Sequence, residues 1–146
     1  KEEAETRKLD IITADKIQLG EQQPESDHFI ESKDSGTGYM EDRHFRDAKG
    51  WFSYQMKNTG KNASYLYLLY FDANANRTLN IEINGKKVMA QNLEGKSGNS
   101  PQYLAVPIPD SEKNKENLTV KFLAEEKRMT AKVIEVRLLT GNYEKK

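Results

Sequence analysis

Hydrophobic and polar residues alternate with a period of two over much of the chain after Gly50, as strands with one buried face require. Along residues 51–58, Phe52, Tyr54 and Met56 alternate with Ser53, Gln55 and Lys57. Residues 64–72 are apolar on both faces, which predicts a central strand or one covered by additional chain. Leu79, Ile81 and Ile83 then alternate with Asn80, Glu82 and Asn84. Asn84-Gly85 predicts a type I′ hairpin turn, whose two central residues need positive φ, and residues 86–93 return as the partner strand. Residues 102–108 turn Leu104, Val106 and Ile108 inward, with Pro107 marking a sheet edge. Residues 117–124 place Leu118, Val120 and Phe122 on one face. Residues 131–140 turn Ile134, Val136 and Leu138 inward and leave Lys132, Glu135 and Arg137 to solvent.

The first third of the chain is less regular. Residues 1–8 are charged and read as a linker, a frayed end or a single helical turn, and residues 9–19 as a first strand of unsettled register. Residues 20–50 hold neither a period of two nor one of 3.6 and read as a long ordered loop with short extended pieces; such loops inside a domain tend to be functional or to cover a core. Short, closely spaced strands with no convincing amphipathic helix predict an all-β protein, an antiparallel β-sandwich or jelly roll. That gives one domain over residues 9–141, with residues 142–146 as a C-terminal tail.

Composition narrows the function classes. Lys plus Arg and Asp plus Glu number 23 each, so no overall field favours nucleic acid or an anionic membrane. The absence of cysteine removes disulfides, thiol catalysis and thiolate metal sites. The longest apolar run, Tyr65 to Phe71, is too short to cross a bilayer as a helix. The chain begins at Lys1, as expected of a processed protein or a piece of a longer one.

Candidate chemistry is sparse. His28 and His44 have no metal-site spacing, and no nucleophile elbow, phosphate loop or dinucleotide fingerprint is present. Asp72-Ala73-Asn74-Ala75-Asn76 imitates the opening of a calcium loop, but Arg77 replaces the tight-turn glycine and Ile83 the bidentate glutamate, so it reads as a polar turn. No cofactor is expected, and a structural cation elsewhere has no assignable ligands. Acidic residues are plentiful, among them Glu21, Glu25, Asp27, Glu31, Asp34, Glu41, Asp42 and Asp47. A glycosidase needs two carboxylates facing each other across a cleft, and a chain this short has little room for both core and cleft, so the domain is read as non-catalytic. The sharper constellation is Tyr39, Arg43, His44, Arg46 and Trp51: an aromatic face for the C–H side of a sugar ring, with polar groups for its hydroxyls. Parity sets Trp51 opposite Phe52 and Tyr54, so ligand binding and packing beneath the preceding loop or a neighbouring domain both remain open, with packing favoured.

Two segments are distinctive: Gly20-Glu21-Gln22-Gln23-Pro24-Glu25-Ser26-Asp27-His28, and Asp42-Arg43-His44-Phe45-Arg46-Asp47-Ala48-Lys49-Gly50-Trp51-Phe52-Ser53-Tyr54. Together they resemble the C-terminal galactose-binding-like accessory domain of Bacteroides-type glycoside hydrolases of the β-L-arabinofuranosidase family, with Phe45 where tryptophan is more usual. The resemblance covers most of the chain beyond Asp10. It implies a domain of a larger secreted enzyme, periplasmic or extracellular, acting on plant-type glycans. It also implies that the enzyme's active site lies in a separate catalytic domain of the same polypeptide. Under it, Gln22, Gln23, Glu25 and His28 form a loop motif that either locks the structure or docks on that catalytic domain. The expected role is therefore an accessory domain packed on the catalytic domain, the alternative being a carbohydrate-binding module for plant-type oligosaccharides.

Overall fold

A computed structural model of the protein describes residues 2–73, 75–95 and 97–143. In chain order the elements are α1 (Glu2–Ile11), β1 (Thr13–Gln18), α2 (Gln22–Asp27), β2 (Glu31–Met40), β3 (Arg43–Lys57) and β4 (Tyr65–Phe71). β5 (Ala75–Ile83), β6 (Lys86–Glu94), β7 (Pro101–Pro107), β8 (Asn117–Leu123), β9 (Met129–Thr130) and β10 (Lys132–Leu139) follow. The hydrogen-bonded order is β6-β5-β8-β3-β10-β4-β7, with β1 beside β10, β2 beside β3 and β9 beside β5. All pairings are antiparallel except the short β5–β9 contact. The sheet curls on itself so that side chains of β1, β3, β4, β5, β6, β8 and β10 share one main core. This is the predicted all-β sandwich of jelly-roll type.

The core is the one the alternation specifies. Phe52, Tyr54 and Met56 from β3, Leu66 and Leu68 from β4, and Ile81 and Ile83 from β5 are fully buried, and Phe122 of β8 stacks on Phe52 with ring centroids 4.9 Å apart. Asn84 and Gly85 both take positive φ (51° and 83°) in the β5–β6 hairpin, as that turn demands. β7, with Pro107, lies at a sheet edge. β4 is apolar on both faces because it lies between β10 and β7 and its outer face is also covered. There Tyr67 packs with Leu9 of α1, Leu139 and Tyr143, and Phe71 packs with Phe45 and Ile134.

Four expectations are corrected. Residues 20–50 are not mainly loop: they form α2, the ten-residue β2 and the start of the fifteen-residue β3. β2 is exposed along most of its length, so it never shows an apolar face, and α2 is docked by a buried carboxylate rather than by apolar side chains. The segment read as linker plus strand is the helix α1 followed by β1. Arg137 is not solvated: α1 covers that face of β10, and the Arg137 guanidinium, 3% exposed, donates to Asp10, Thr13 and Glu135. Ile134 does not point into the main core. A register shift between Val133 and Glu135 sends Val133 and Val136 inward and Ile134 to the opposite face, as a bulge does. Tyr143, in the expected tail, is buried; residues 144–146 lie outside the described residues.

Candidate functional site

β3 organises the front of the molecule. Arg46 shares the parity of Ala48, Phe52 and Tyr54, so its side chain heads into the rim of the core, where a bare guanidinium would be costly. The partner comes from α2. Arg46 Nε and Nη2 donate to Glu25 Oε2 and Oε1 at 2.7 and 3.0 Å, and Tyr54 donates its hydroxyl to Oε2 at 2.5 Å. Arg46 Nη1 donates to Ser35 Oγ at 2.7 Å, which ties β2 into the same cluster. Burial alone would raise the Glu25 carboxyl. The hydrogen bonds from Arg46, Tyr54 and the Gly20 backbone N–H, with the Arg46 charge, hold it below its usual range. Tyr54 is pushed well above an ordinary phenol, first by burial and then by the adjacent carboxylate.

A second clamp holds the far end of α2. His28 Nδ1 lies 2.8 Å from the Pro24 carbonyl oxygen and Nε2 lies 2.9 Å from Asp15 Oδ1. Both neighbours are acceptors, a setting that favours protons on both ring nitrogens and hence the imidazolium form. The hydrogen bond to Asp15 raises the His28 pKa, burial opposes it, and the Pro24 carbonyl and Asp15 charge add to the rise. Asp15 also accepts the backbone N–H of Lys57 at 2.8 Å, joining β1, α2 and β3. Of the expected loop motif, Glu25 and His28 are thus interior locks. Gln23 bonds only Asp27 within α2, at 2.8 Å, and Gln22 is exposed.

The two clamps leave an open polar depression where the end of β1 meets the β2–β3 hairpin. Gln18, Glu21, Glu41, Asp42, Arg43 and His44 line its roughly 290 Å³. Gln18 forms a fixed wall, its amide donating to the carbonyls of Ile134 and Leu19 at 2.9 and 3.1 Å. Tyr39, 60% exposed, adjoins the depression through two of its lining residues, its ring edge-on to His44 at 4.7 Å between centroids and its hydroxyl 3.4 Å from Asp42 Oδ1. Glu41 and Asp42 form the hairpin turn, both at positive φ (50° and 61°).

The structure therefore places Arg43 and His44 in the lining of the depression, with Tyr39 against His44, and sets Arg46 and Trp51 apart. Arg46 is committed to Glu25. Trp51 lies seven residues along β3 from His44, about 23 Å at the rise of an extended strand. It is half-buried between Lys33 of β2 and Leu123 of β8, with Lys121 Nζ 4.3 Å above its ring. Gln18, Glu21, Glu41 and Asp42 were not grouped with the aromatic set by the sequence. The available signal was the pair Met40–Arg43 flanking two residues, a hairpin without the usual Asn-Gly. Asp72, from the calcium-loop imitation, accepts the Gly95 backbone N–H at 2.8 Å, as a turn staple does, and Asn74 lies outside the described residues. Among the described residues no three His, Cys, Asp or Glu side chains form a metal cluster.

Residues 8–139 match the model of a family of unknown function (DUF6805). The chain belongs to this family. No curated protein matches it. Its fold is similar to a family 35 carbohydrate-binding module from an environmental isolate, at 14% identity and TM-score 0.65, over 87% of this chain and 93% of that one. A family 35 module from Clostridium thermocellum is similar at 12% identity and TM-score 0.59, over 86% and 97%. An exo-β-1,3-galactanase from Phanerochaete chrysosporium, solved with β-1,3-galactotriose, is similar at 10% identity and TM-score 0.56, over 84% of this chain and 28% of the enzyme. At these identities the likeness concerns the fold alone. No helix among the described residues is long and apolar enough to cross a membrane.

Proposed function

We propose that this domain is a non-catalytic carbohydrate-binding module for plant-type glycans, using the depression at the β2–β3 hairpin. The observation that carries the reading is Tyr39: a tyrosine ring 60% exposed and braced edge-on by His44, which itself lines the polar basin. An aromatic face offers the C–H side of a pyranose or furanose a flat apolar contact, while the groups below it hydrogen-bond the hydroxyls. Glu25 and His28 serve the site indirectly, because they seat α2 and hence Glu21. Arg46 is a positioning residue and not a ligand. The likeness in fold to carbohydrate-binding modules supports this reading. The test is calorimetric titration with arabinan, galactan and xylan oligosaccharides, alongside Tyr39→Ala. Saturable binding that Tyr39→Ala weakens at least tenfold supports it; no binding to any plant oligosaccharide overturns it.

A second reading, an accessory domain packed on the catalytic domain of a larger secreted glycoside hydrolase, is favoured by Phe29. This residue is 66% exposed and takes φ +55°, a conformation costly for a bulky side chain. Exposed aromatics next to a rigid clamp suit an interdomain contact. Slower hydrogen exchange over residues 26–30 in the full polypeptide than in the isolated domain supports it, and equal exchange counts against it.

A further inference from the structure

We infer that the outer face of β3, β8 and β5 is a second glycan-binding surface, with Trp51 and Asn80 at its centre. It rests on the carbohydrate-binding reading but is separate from the hairpin depression. Trp51 of β3 pairs with Leu123 of β8, and Leu123 pairs with Asn80 of β5, so the three side chains stand in one row. Alternation turns that row away from the core, since Phe52, Ile81 and Phe122 beside it all point inward. Trp51 is the only tryptophan of the chain, and the hairpin basin makes no use of it.

The observation that points to a ligand is Asn80 Oδ1. Among the described residues it is the one buried side-chain oxygen or nitrogen with no hydrogen-bond partner. A stranded carbonyl is destabilising, and buried polar atoms of folded proteins are nearly always paired. An acceptor left open in this way calls for a donor from outside the chain, and sugar hydroxyls are donors.

Trp51 supplies the other half. Lys121 Nζ stands 4.3 Å from the centroid of its ring, so the ring face attracts electropositive groups. The C–H side of a pyranose or furanose is such a group. Lys121 pairs with Ser53 and Glu82, two residues along from Trp51 and Asn80, and is therefore the diagonal neighbour of both. In the free protein it covers the ring. A cation–π contact at a wet surface is weak, so a sugar displaces the lysine, and the same movement opens the row towards Asn80. Trp51 and Asn80 lie two strand spacings apart, about 10 Å, too far for a single sugar ring to meet both. The occupant is therefore an oligosaccharide lying across the strands, one unit stacked on Trp51 and another donating a hydroxyl to Asn80.

The test is titration with mono- to tetrasaccharides of arabinan, galactan and xylan, followed by calorimetry and by the emission of Trp51, the sole indole. Tyr39→Ala serves as the background in which the hairpin depression is disabled. The expected result is a saturable change in emission that survives Tyr39→Ala and first appears with disaccharides and longer chains. Trp51→Ala should weaken this binding about tenfold and Asn80→Leu about fivefold. Asn80→Leu removes the stranded carbonyl, so its Tm should rise by roughly 3 °C and its loss of affinity is not misfolding. Lys121→Ala, which uncovers the ring, should tighten binding about threefold. Binding that leaves the emission silent, or that Trp51→Ala and Asn80→Leu do not weaken, overturns this surface and leaves the hairpin reading standing. Binding that Trp51→Ala abolishes and Tyr39→Ala leaves intact supports this surface and overturns the hairpin site. No binding of any oligosaccharide overturns both.

Discussion

Replacing Glu25 with alanine separates a lock from a ligand site. The carboxylate is 4% exposed and accepts both Arg46 nitrogens and the Tyr54 hydroxyl. Its removal strands a guanidinium and a buried phenol. Breaking a buried ion pair by removing one partner costs about 3–5 kcal/mol. Arg46 keeps Ser35, so the lower end of that range, about 3 kcal/mol, is expected here. In a domain of this size each kcal/mol shifts Tm by about 3 °C, so Tm should fall by roughly 10 °C. Arg46→Met alone should cost a similar amount, because it leaves Glu25 charged and buried. The double variant should cost clearly less than the two losses added, since no unpaired charge remains. Urea and thermal denaturation followed by circular dichroism measure all three. Single losses below about 1 kcal/mol, or strict additivity, would refute the lock. A fall in sugar affinity at unchanged stability on Arg46→Met would return Arg46 to the ligand-binding set.

The His28–Asp15 clamp predicts a stability optimum in mildly acidic solution. His28, raised in the folded state, contributes fully below its ordinary value of 6.5 and loses its contribution as pH rises through the raised value. Asp15, lowered in the folded state, contributes fully above its ordinary 3.8 and loses it as pH falls through the lowered value. Urea midpoints from pH 5 to 9 should therefore decline for the wild type and flatten for His28→Gln; parallel curves would show that the clamp contributes nothing. Gly20→Ala should destabilise by about 2 kcal/mol and loosen α2: φ is +80°, and a Cβ would meet the Phe45 backbone N and O at 2.8 Å. An unchanged Tm would disprove it.

The sheet was legible because its information is local. Where an apolar residue every second position faces a shared core, as along β3 after Gly50, β5 and β8, the sequence states both the strand and its buried side. The Asn84-Gly85 turn was legible for the same reason, since two adjacent residues decide it. Illegible were the elements whose partners lie far along the chain. β2 shows no apolar face because it hydrogen-bonds an edge of β3, and α2 hides its reason for being a helix in a carboxylate that meets Arg46 and Tyr54, 21 and 29 residues away. Arg137 looked solvated until α1 covered it, and Ile134 looked inward until a single-residue bulge reversed it.

The site divides along the same line. Residue types singled out the side chains proposed to meet a sugar, and Tyr39, Arg43 and His44 stay near one another because a tight hairpin keeps sequence neighbours in space. Tertiary structure alone decided that Arg46 is committed to Glu25, that Trp51 lies beneath Lys121 far along the strand, and that Gln18 and Glu21 complete the basin. A period of two reports which face a residue occupies. It carries no information about which distant charge will be waiting on that face.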